Sequence, residues 1–360
     1  GCTSPPSAYF GVGGAVLQVS PNAQQYSNSL TFTYHGFADV TELSPSSGPS
    51  DGGTRVAVSG AALTLGAHYV CHFGPESEVG PENATTTVPA TLPPFSLVRS
   101  IAPGSDLGRV SDLRSFEVGA VSAALLCEAP PSTAGSLTLA DVRVSLNAQQ
   151  YVLNRENASF TYYDAPRVAE ISPTSGPMSG GTLVNVSGTG FALGSHYVCA
   201  FGAVVVPATD HSDDGVIACR TPASIYGMAE VWLEVSLNAQ QFSGQRVPFR
   251  YTAASPTIAS FSPSSGPSEG DTTVVIEGYG FAGGSDYKCK FDSCGACTTA
   301  WSCGPCVVNA TCTSDTSLVC VAPPLAGWSS DAGKPVALEL SLNSQEYTSS
   351  ETTYLYYPPH

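Results

Sequence analysis

Apolar and polar residues alternate over short stretches of this chain, and the sequence shows no sustained apolar stripe at helical spacing. The clearest alternation runs from Thr54 to Gly60, where Val56 and Val58 fall on one side. A period of two is typical of a strand with one buried face. Ser-Gly-Pro, Gly-Gly and Asn-Ala-Gln-Gln segments interrupt these stretches about every ten residues. The pattern therefore predicts an all-β protein of short strands.

One unit recurs along the chain. It opens with Ser-Pro-x-Ser-Gly-Pro at Ser44, Ser172 and Ser262, and a cysteine follows each of these serines after 27 residues. Its closing half runs from Cys-x-x-Pro through Ser-x-Asn-x-Gln-x-aromatic to a final aromatic-x-Tyr, and it occurs four times. A unit of about 90 residues with two insertions accounts for the spacings. The alternating valines also recur, at Val184 and Val186 and at Val274 and Ile276.

The landmarks divide the chain into one partial unit and three full ones. The predicted boundaries are a closing half at 1–36 and full units at 37–165, 166–254 and 255–358, with insertions at 74–117 and 293–306. Because the closing half has no opening half before it, Cys2 is expected to pair with a cysteine upstream of residue 1. We accordingly expect the chain to continue at both ends with further units.

The uninterrupted unit at 166–254 carries a dense set of landmark residues. They are Val168, Ile171, Pro173, Gly176-Pro177, Gly180-Gly181-Thr182, Val198-Cys199-x-Phe201-Gly202 and Cys219-x-x-Pro222. This set resembles the IPT/TIG domain, the immunoglobulin-like module of plexins, hepatocyte-growth-factor-type receptors and fibrocystin-like proteins. The resemblance implies tandem immunoglobulin-like β-sandwiches. It implies little about function, because the module also occurs in transcription factors and beside carbohydrate enzymes.

The joints between units are short and contain proline. Residues 163–166 and 252–256 connect successive units, and Pro166 and Pro256 restrict the backbone there. We therefore expect the modules to be arranged end to end as a rod.

The charge excludes one setting of this module. The formal net charge is −16, with only 13 lysine and arginine residues. Binding of nucleic acid needs clustered cations that displace counterions from the phosphates. No nucleic-acid partner is therefore expected.

Twelve cysteines, most of them at repeating positions, indicate an oxidising compartment. In each unit the cysteine of the Cys-x-Phe strand and that of the Cys-x-x-Pro strand are the natural partners. The predicted disulfides are Cys71 with Cys127, Cys199 with Cys219, and Cys289 with Cys320. An extracellular location follows from this interpretation, either secreted or at the cell surface.

A second cysteine cluster lies in the insertion of the last unit, at Cys294, Cys297, Cys303 and Cys306. Two Cys-x-x-Cys pairs could hold zinc or exchange disulfides, but in an oxidising compartment a loop closed by disulfides is favoured. Including Cys312 the last unit has seven cysteines, so one thiol is left for another partner or remains free.

Four Asn-x-Ser/Thr sequons fit the same compartment, and covalent glycans are predicted on them. They begin at Asn83, Asn157, Asn185 and Asn309. Asn185 lies between the inward-facing Val184 and Val186, so its side chain is expected to point outward.

Other candidate chemistry is sparse. His68 and His72 could share a strand face and hold a metal, but the next unit keeps only the first histidine, as His196, so a structural or surface role is favoured. The oxygen-rich segment 210–215 lacks the spacing of a calcium loop, and a solvated turn is favoured. No Gly-x-Ser-x-Gly motif or phosphate-binding loop occurs. We predict no catalytic residue, metal or cofactor.

Two functions remain. The near-identical Asn-Ala-Gln-Gln segments favour an array that reuses one surface in every unit, and the composition resembles that of extracellular glycoproteins of green algae. The preferred prediction is therefore a structural segment of an extracellular filament, matrix or ciliary appendage such as a mastigoneme. Its partners would be copies of itself or other fibre subunits. The alternative is the stalk of a cell-surface receptor or adhesion ectodomain, with any membrane anchor outside this segment.

Overall fold

A computed structural model describes most of the chain, in fifteen ranges. These are residues 3–4, 13–36, 38–64, 66–74, 86–92, 124–132, 134, 137–152, 158–212, 215–292, 297–299, 302–303, 305–325, 333–350 and 352–358. The predicted sites Cys2, Cys294, Asn83 and Asn157 lie outside these residues. No helix in the described ranges is long and apolar enough to cross a membrane.

The chain divides into two compact units. The first unit contains residues 1–165, 193–196 and 237–241, and the second contains residues 166–192, 197–236 and 242–360. The three full repeats are called the first, second and third modules below, and residues 1–36 are called the leading segment. The leading segment contributes β1 (Gly13–Leu17) and β2 (Leu30–Tyr34), which pair antiparallel.

Each module is built from strands in the same order. The first module has β3 (Asp39–Ser44), β4 (Ser47–Pro49), β5 (Arg55–Ala61), β6 (Val70–Phe73), β7 (Thr87–Thr91), β8 (Ala124–Glu128), β9 (Thr138–Ser145) and β10 (Ser159–Tyr163). The second has β11 (Arg167–Ser172), β12 (Ser175–Pro177), β13 (Leu183–Thr189), β14 (Val198–Phe201), β15 (Val204–Ser212), β16 (Val216–Arg220), β17 (Glu230–Ser236) and β18 (Val247–Thr252). The third has β19 (Thr257–Ser262), β20 (Ser265–Pro267), β21 (Thr273–Tyr279), β22 (Lys288–Phe291), β23 (Cys297–Thr299), β24 (Ser302–Cys303), β25 (Cys306–Ser314), β26 (Ser317–Val321), β27 (Lys334–Ser341) and β28 (Thr353–Tyr357).

The second module shows how these strands form two layers. One layer has the order β11-β13-β16-β15, and the other has the order β15-β14-β17-β18-β12. Strand β15 belongs to both layers, because it pairs with β14 from Val204 to Pro207 and with β16 from Ala208 to Ser212, with an irregularity between Ala208 and Asp210. The other two modules repeat this strand order. The prediction of all-β, immunoglobulin-like sandwiches is confirmed.

The predicted alternation sets which residues form the core. Val184 and Val186 are fully buried, whereas Asn185 between them is exposed. In the same module Phe201 meets Phe249 edge-on, with ring centroids 5.4 Å apart. Edge-on ring pairs stabilise a core beyond the area that they bury.

A buried tyrosine links the two repeated landmarks of the closing half. The Tyr251 hydroxyl donates a hydrogen bond to the Pro222 carbonyl oxygen at 2.9 Å. Tyr162 and Tyr356 make the same bond, to the carbonyl oxygens of Pro130 and Pro323 respectively. The proline of Cys-x-x-Pro and the tyrosine of the aromatic-x-Tyr ending therefore belong to one contact.

Alkaline titration provides a test of these three tyrosines. Burial raises the pKa of Tyr162, Tyr251 and Tyr356 in the folded chain, whereas an unfolded tyrosine titrates near pH ~10. Their contribution to stability is therefore fully present below pH ~10 and is lost as the pH rises toward the folded-state pKa. We expect absorbance at 295 nm to show a late group of tyrosines that ionise only as the modules unfold. A single transition near pH ~10 in the folded chain would contradict the burial.

The structure corrects both predicted insertions. The segment 74–117 contains β7, which pairs with β6 and β8 as β15 pairs with β14 and β16. This strand is therefore part of the module. It was not predicted because its short sequence, which contains Pro89, shows no alternating apolar pattern. The insertion 293–306 likewise ends one residue too late, because Cys306 begins β25 and pairs with Phe291.

Candidate functional site

The repeated Asn-x-Gln-x segment forms the same tight turn in all four copies. In the copy at 238–241, Asn238 Oδ1 accepts hydrogen bonds from the backbone amides of Gln240 and Gln241, both at 3.1 Å. Ala239 has a φ of 60°, which closes the turn. The same bonds and a positive φ recur in the copies at 22–25, 147–150 and 343–346. We call this element the Asn-Gln turn.

Within the first unit, the turn at 238–241 contacts the start of strand β5. The Gln240 side chain accepts a hydrogen bond from the Arg55 amide at 2.9 Å and donates one to the Arg55 carbonyl oxygen at 2.8 Å. The Asn238 amide group donates to Thr54 Oγ1 at 3.2 Å and to the Ser47 carbonyl oxygen at 3.4 Å. One side-chain amide thus uses both backbone hydrogen-bonding groups of an edge residue, as a neighbouring strand would.

Within the second unit, the turn at 343–346 repeats this contact on strand β13. Gln345 bonds both backbone groups of Leu183, at 2.9 Å and 2.8 Å. Asn343 donates to the Ser175 carbonyl oxygen at 3.2 Å and to Thr182 Oγ1 at 3.3 Å. The two contacts use equivalent residues on both sides, so they are one joint built twice.

The surface that receives the turn is also repeated, and we call it the receiving edge. Its members are Ser47, Gly53, Thr54 and Arg55 in the first module, Ser175, Gly181, Thr182 and Leu183 in the second, and Ser265, Asp271, Thr272 and Thr273 in the third. A serine of the adjoining loop completes each joint. Ser47 Oγ lies 3.1 Å from Ser195 Oγ, and Ser175 Oγ lies 2.8 Å from Ser285 Oγ.

Gly176, between Ser175 and Pro177, leaves space at the joint because it has no side chain. A methyl group at Gly176 would overlap the Thr182 hydroxyl and approach the Phe249 ring at 3.2 Å. Thr182 Oγ1 is the atom that bonds Glu346 at 3.0 Å. The Ser-Gly-Pro landmark is therefore a short strand, β12, whose glycine leaves room for the Thr182 hydroxyl at the joint.

Burial separates the docked turns from the others. Asn238 and Asn343 are 2% and 4% exposed, whereas Asn22 and Asn147 are exposed. Polar side chains are rarely buried without hydrogen-bond partners, and the docked asparagines bond the receiving edge. The turn at 238–241 lies in the hairpin between β17 and β18, where Ser236 pairs with Phe242 across it. Its repetition was the available signal for the joint.

The two joints differ in charge at the fourth position of the turn. Gln241 Nε2 donates to the Gly53 carbonyl oxygen at 3.1 Å. Glu346 has no such donor, and the equivalent Gly181 carbonyl oxygen instead accepts from Arg220 Nη1 at 3.0 Å. The carboxylate of Glu346 thus occurs at the edge whose glycine carbonyl is bonded by Arg220, whereas at the first edge Gln241 itself bonds that carbonyl.

The structure contains the three expected disulfides. The Cα–Cα distances are 6.2 Å for Cys71–Cys127, 6.3 Å for Cys199–Cys219 and 6.5 Å for Cys289–Cys320. Each joins the two layers of one sandwich, for instance β14 to β16 in the second module. All six cysteines are buried in module cores.

The cysteine-rich insertion forms a small hairpin in which Cys297 is the register partner of Cys303. Cys306 is disulfide-bonded, so its sulfur cannot act as a zinc thiolate. Cys312 is a free, half-buried thiol within the described residues, and its Sγ lies 3.2 Å from the Ser314 carbonyl oxygen.

The two histidines proposed as a metal pair are separated by burial. His68 precedes β6 and is exposed, whereas His72 is fully buried on β6 beside Thr86 and Thr87. The two side chains therefore do not share a strand face. In segment 210–215, Asp210 lies on β15, its side chain bonds the His211 amide, and His211 stacks on Tyr197. Among the described residues no cluster of histidine, cysteine and acidic side chains could hold a metal ion.

Two of the four sequons lie on described strands. Asn185 is exposed in the middle of β13. Asn309 is exposed on β25, and its Oδ1 accepts a hydrogen bond from Lys288 Nζ at 2.6 Å. Both side chains are accessible for modification.

Two of the modules match a known family of protein domains. The family model of the IPT/TIG domain matches residues 166–251 and 256–356. Plexin-A3 of Rattus norvegicus is 24% identical over 251 residues, which are 66% of this chain and 11% of that protein. Plexin-B3 of Homo sapiens is 29% identical over 231 residues, 58% of this chain and 12% of that protein. The chain thus spans about a tenth of the length of these plexins.

Two further proteins are similar to this chain, one over about a third of it and the other over most of it. Fibrocystin-L of Homo sapiens is 30% identical over 117 residues, 32% of this chain and 3% of that protein. Among solved structures, the full extracellular region of plexin A4 aligns with 89% of this chain and 24% of its own length, at 20% identity and a TM-score of 0.45.

Proposed function

Because the chain belongs to the IPT/TIG domain family, we propose that it is a stalk segment of a cell-surface receptor or adhesion ectodomain. The observation that carries the proposal is the joint between modules, which is built twice from equivalent residues. In a stalk, such joints limit the movement of adjoining modules and keep a ligand-binding part away from the membrane. The chain then acts by positioning other domains and not by catalysis.

The relatives favour the receptor stalk over the filament interpretation. The matches to plexins extend over 58% and 66% of this chain. The argument for a filament rested on the repeated Asn-Gln turns, and joints between modules of one chain account for that repetition equally well. The receptor stalk is therefore proposed in its place.

An extracellular location is part of the proposal. The disulfides of the three module cores need an oxidising compartment to form and persist. The low count of 13 lysine and arginine residues and the exposed sequons fit the same setting.

Fractionation of the native protein distinguishes the two functions. Cells that express it would be labelled with a membrane-impermeant reagent, then extracted first with high salt and next with detergent, and the intact mass in each fraction would be measured. A receptor stalk is expected in the labelled, detergent-requiring fraction at the mass of a discrete complex. Labelled protein that sediments as long polymers without detergent would overturn the receptor proposal in favour of a filament.

We expect glycans on Asn185 and Asn309 when the chain passes through a eukaryotic secretory pathway, because both are exposed sequon asparagines. Intact-mass measurement before and after glycosidase treatment should show a loss of glycan mass. The variant Asn185→Gln should lack one glycan, whereas Asn147→Gln, at an exposed asparagine outside any sequon, should lose none. An unmodified chain from such a pathway would contradict the prediction.

A further inference from the structure

We propose that a cavity beside the joint of the second unit binds an N-acetylhexosamine residue of a glycan. The cavity has a volume of about 280 Å³ and is lined by Pro177 of the second module, by the segment 254–258 and by residues of the segment 342–350. All of these residues belong to the second unit. The inference concerns a ligand site and does not depend on the proposed stalk function.

In the second module a glutamine side chain occupies the place that corresponds to this cavity. Gln245 is half-buried, and its Oε1 accepts a hydrogen bond from the Val168 amide at 3.3 Å. Val168 lies on β11, pairs with Gly188 and directly precedes the irregularity of that strand. The glutamine therefore bonds a backbone group at an irregular point of the sheet.

The third module has the same backbone arrangement but a shorter side chain. Ile258 precedes the same irregularity on β19, so its amide stands where the Val168 amide stands on β11. The counterpart of Gln245 is Ser350, because each follows the asparagine of its Asn-Gln turn by seven residues. Ser350 Oγ instead donates a hydrogen bond to the Leu338 carbonyl oxygen at 3.0 Å. Both Ile258 and Ser350 line the cavity, which therefore lies where the second module has its glutamine side chain.

The cavity offers hydroxyl groups that are available to a ligand. Ser255, Thr257 and Ser349 line it, and within the described ranges their hydroxyls have no hydrogen-bond partner in the protein. A hydroxyl group both donates and accepts hydrogen bonds. The lining therefore suits a ligand that carries several hydroxyl groups, as a sugar does.

The charge of the lining favours a neutral ligand. No lysine or arginine among the described residues lines the cavity, so an anion would have no opposite charge there. Glu346 is the acidic residue of the lining, and both of its carboxylate oxygens are engaged in the joint. Oε1 accepts from Thr182 Oγ1 at 3.0 Å, and Oε2 accepts from Asn343 Nδ2 at 2.6 Å.

An acetamido group distinguishes the proposed sugar from other sugars. It is a neutral amide, as the Gln245 side chain is, and its carbonyl oxygen would accept from the Ile258 amide as Gln245 Oε1 accepts from the Val168 amide. Tyr347 also lines the cavity, and its ring can pack against the C–H groups of the sugar. Pockets for drug-sized ligands measure roughly 300–1,000 Å³, so the present cavity suits a single sugar residue.

Saturation-transfer difference NMR on the full chain, with methyl N-acetyl-β-glucosaminide as the probe, tests the proposal. A single sugar residue makes few contacts, so we expect a Kd on the order of 1 mM. Methyl β-glucoside has a hydroxyl in place of the acetamido group and should bind at least about tenfold more weakly, because the acceptor for the Ile258 amide is lost. Equal binding of the two sugars would overturn the proposal.

Ser350→Gln should abolish binding of the probe, because it introduces the side chain that occupies this place in the second module. The matched control is Ser260→Gln, the same substitution at an exposed position of β19 outside the cavity, and it should leave binding unchanged. Ser349→Gln, at an exposed residue of the lining, should weaken binding and tests the site even if Ser350→Gln does not fold.

Three results would contradict the site. They are no saturable binding by the unmodified chain up to roughly 20 mM probe, full binding by a folded Ser350→Gln variant, and full binding by Ser349→Gln. Removal of the N-glycans of the chain itself distinguishes the source of the sugar. Binding of the probe that appears only after this treatment would identify a glycan of the same chain as the occupant, and binding before it would identify a sugar of another molecule.

Discussion

Replacing Cys199 and Cys219 together by alanine should lower the free energy of unfolding of the second module by about 3 kcal/mol. The two cysteines are 20 residues apart in sequence and fully buried, and their disulfide joins β14 to β16 across the core. In the chain-entropy model, a disulfide that closes a loop of this size lowers the conformational entropy of the unfolded chain. Removing the disulfide restores that entropy and destabilises the folded module by that amount. Urea unfolding, followed by fluorescence and by proteolysis of the module, would measure the loss.

Cys312→Ala is the matched control, because this cysteine is half-buried but free within the described residues. It should change the free energy of unfolding by less than about 1 kcal/mol, since only a small side chain is altered. Peptide mapping without reduction should also recover the Cys199–Cys219 link. Recovery of Cys199 linked to a cysteine of another module would contradict the assigned disulfide. An equal decrease in the free energy of unfolding of the two variants would contradict it as well.

The strand pattern of this chain could be predicted because burial alternates locally. Val184 and Val186 are buried and Asn185 is exposed, as a period of two requires. Strand β7 could not be predicted in this way. Its sequence contains Pro89, and Ala90 is its one buried residue, so no alternating apolar pattern marks it.

The joint could not be predicted because its two sides are far apart in sequence. Asn238 and Ser47 are separated by 191 residues, and the bond between them depends on how successive modules meet. The turn itself has the same internal bonds at Asn147, which is exposed, as at Asn238, which is buried. Local sequence therefore predicted a turn, and only the three-dimensional arrangement shows which copies are docked.

Asn343→Ala should lower the stability of the joint within the second unit by about 2 to 3 kcal/mol, because it leaves buried partners without a hydrogen bond. Asn343 is 4% exposed and bonds Ser175 and Thr182 of the receiving edge, while its Oδ1 holds the amides of Gln345 and Glu346. Alanine would remove both sets of bonds, and the buried edge groups would have no water to replace them.

Asn147→Ala removes the same internal turn bonds at an exposed site, where water can take their place, so it should cost only about 1 kcal/mol. Hydrogen exchange gives a local readout, since the Leu183 amide is bonded to Gln345 Oε1 at 2.9 Å. Exchange in peptides that contain Leu183 should accelerate in Asn343→Ala and stay unchanged in Asn147→Ala. Equal exchange in both variants would mean that the turn contributes only to its own module, and the stalk proposal would lose the joint on which it depends.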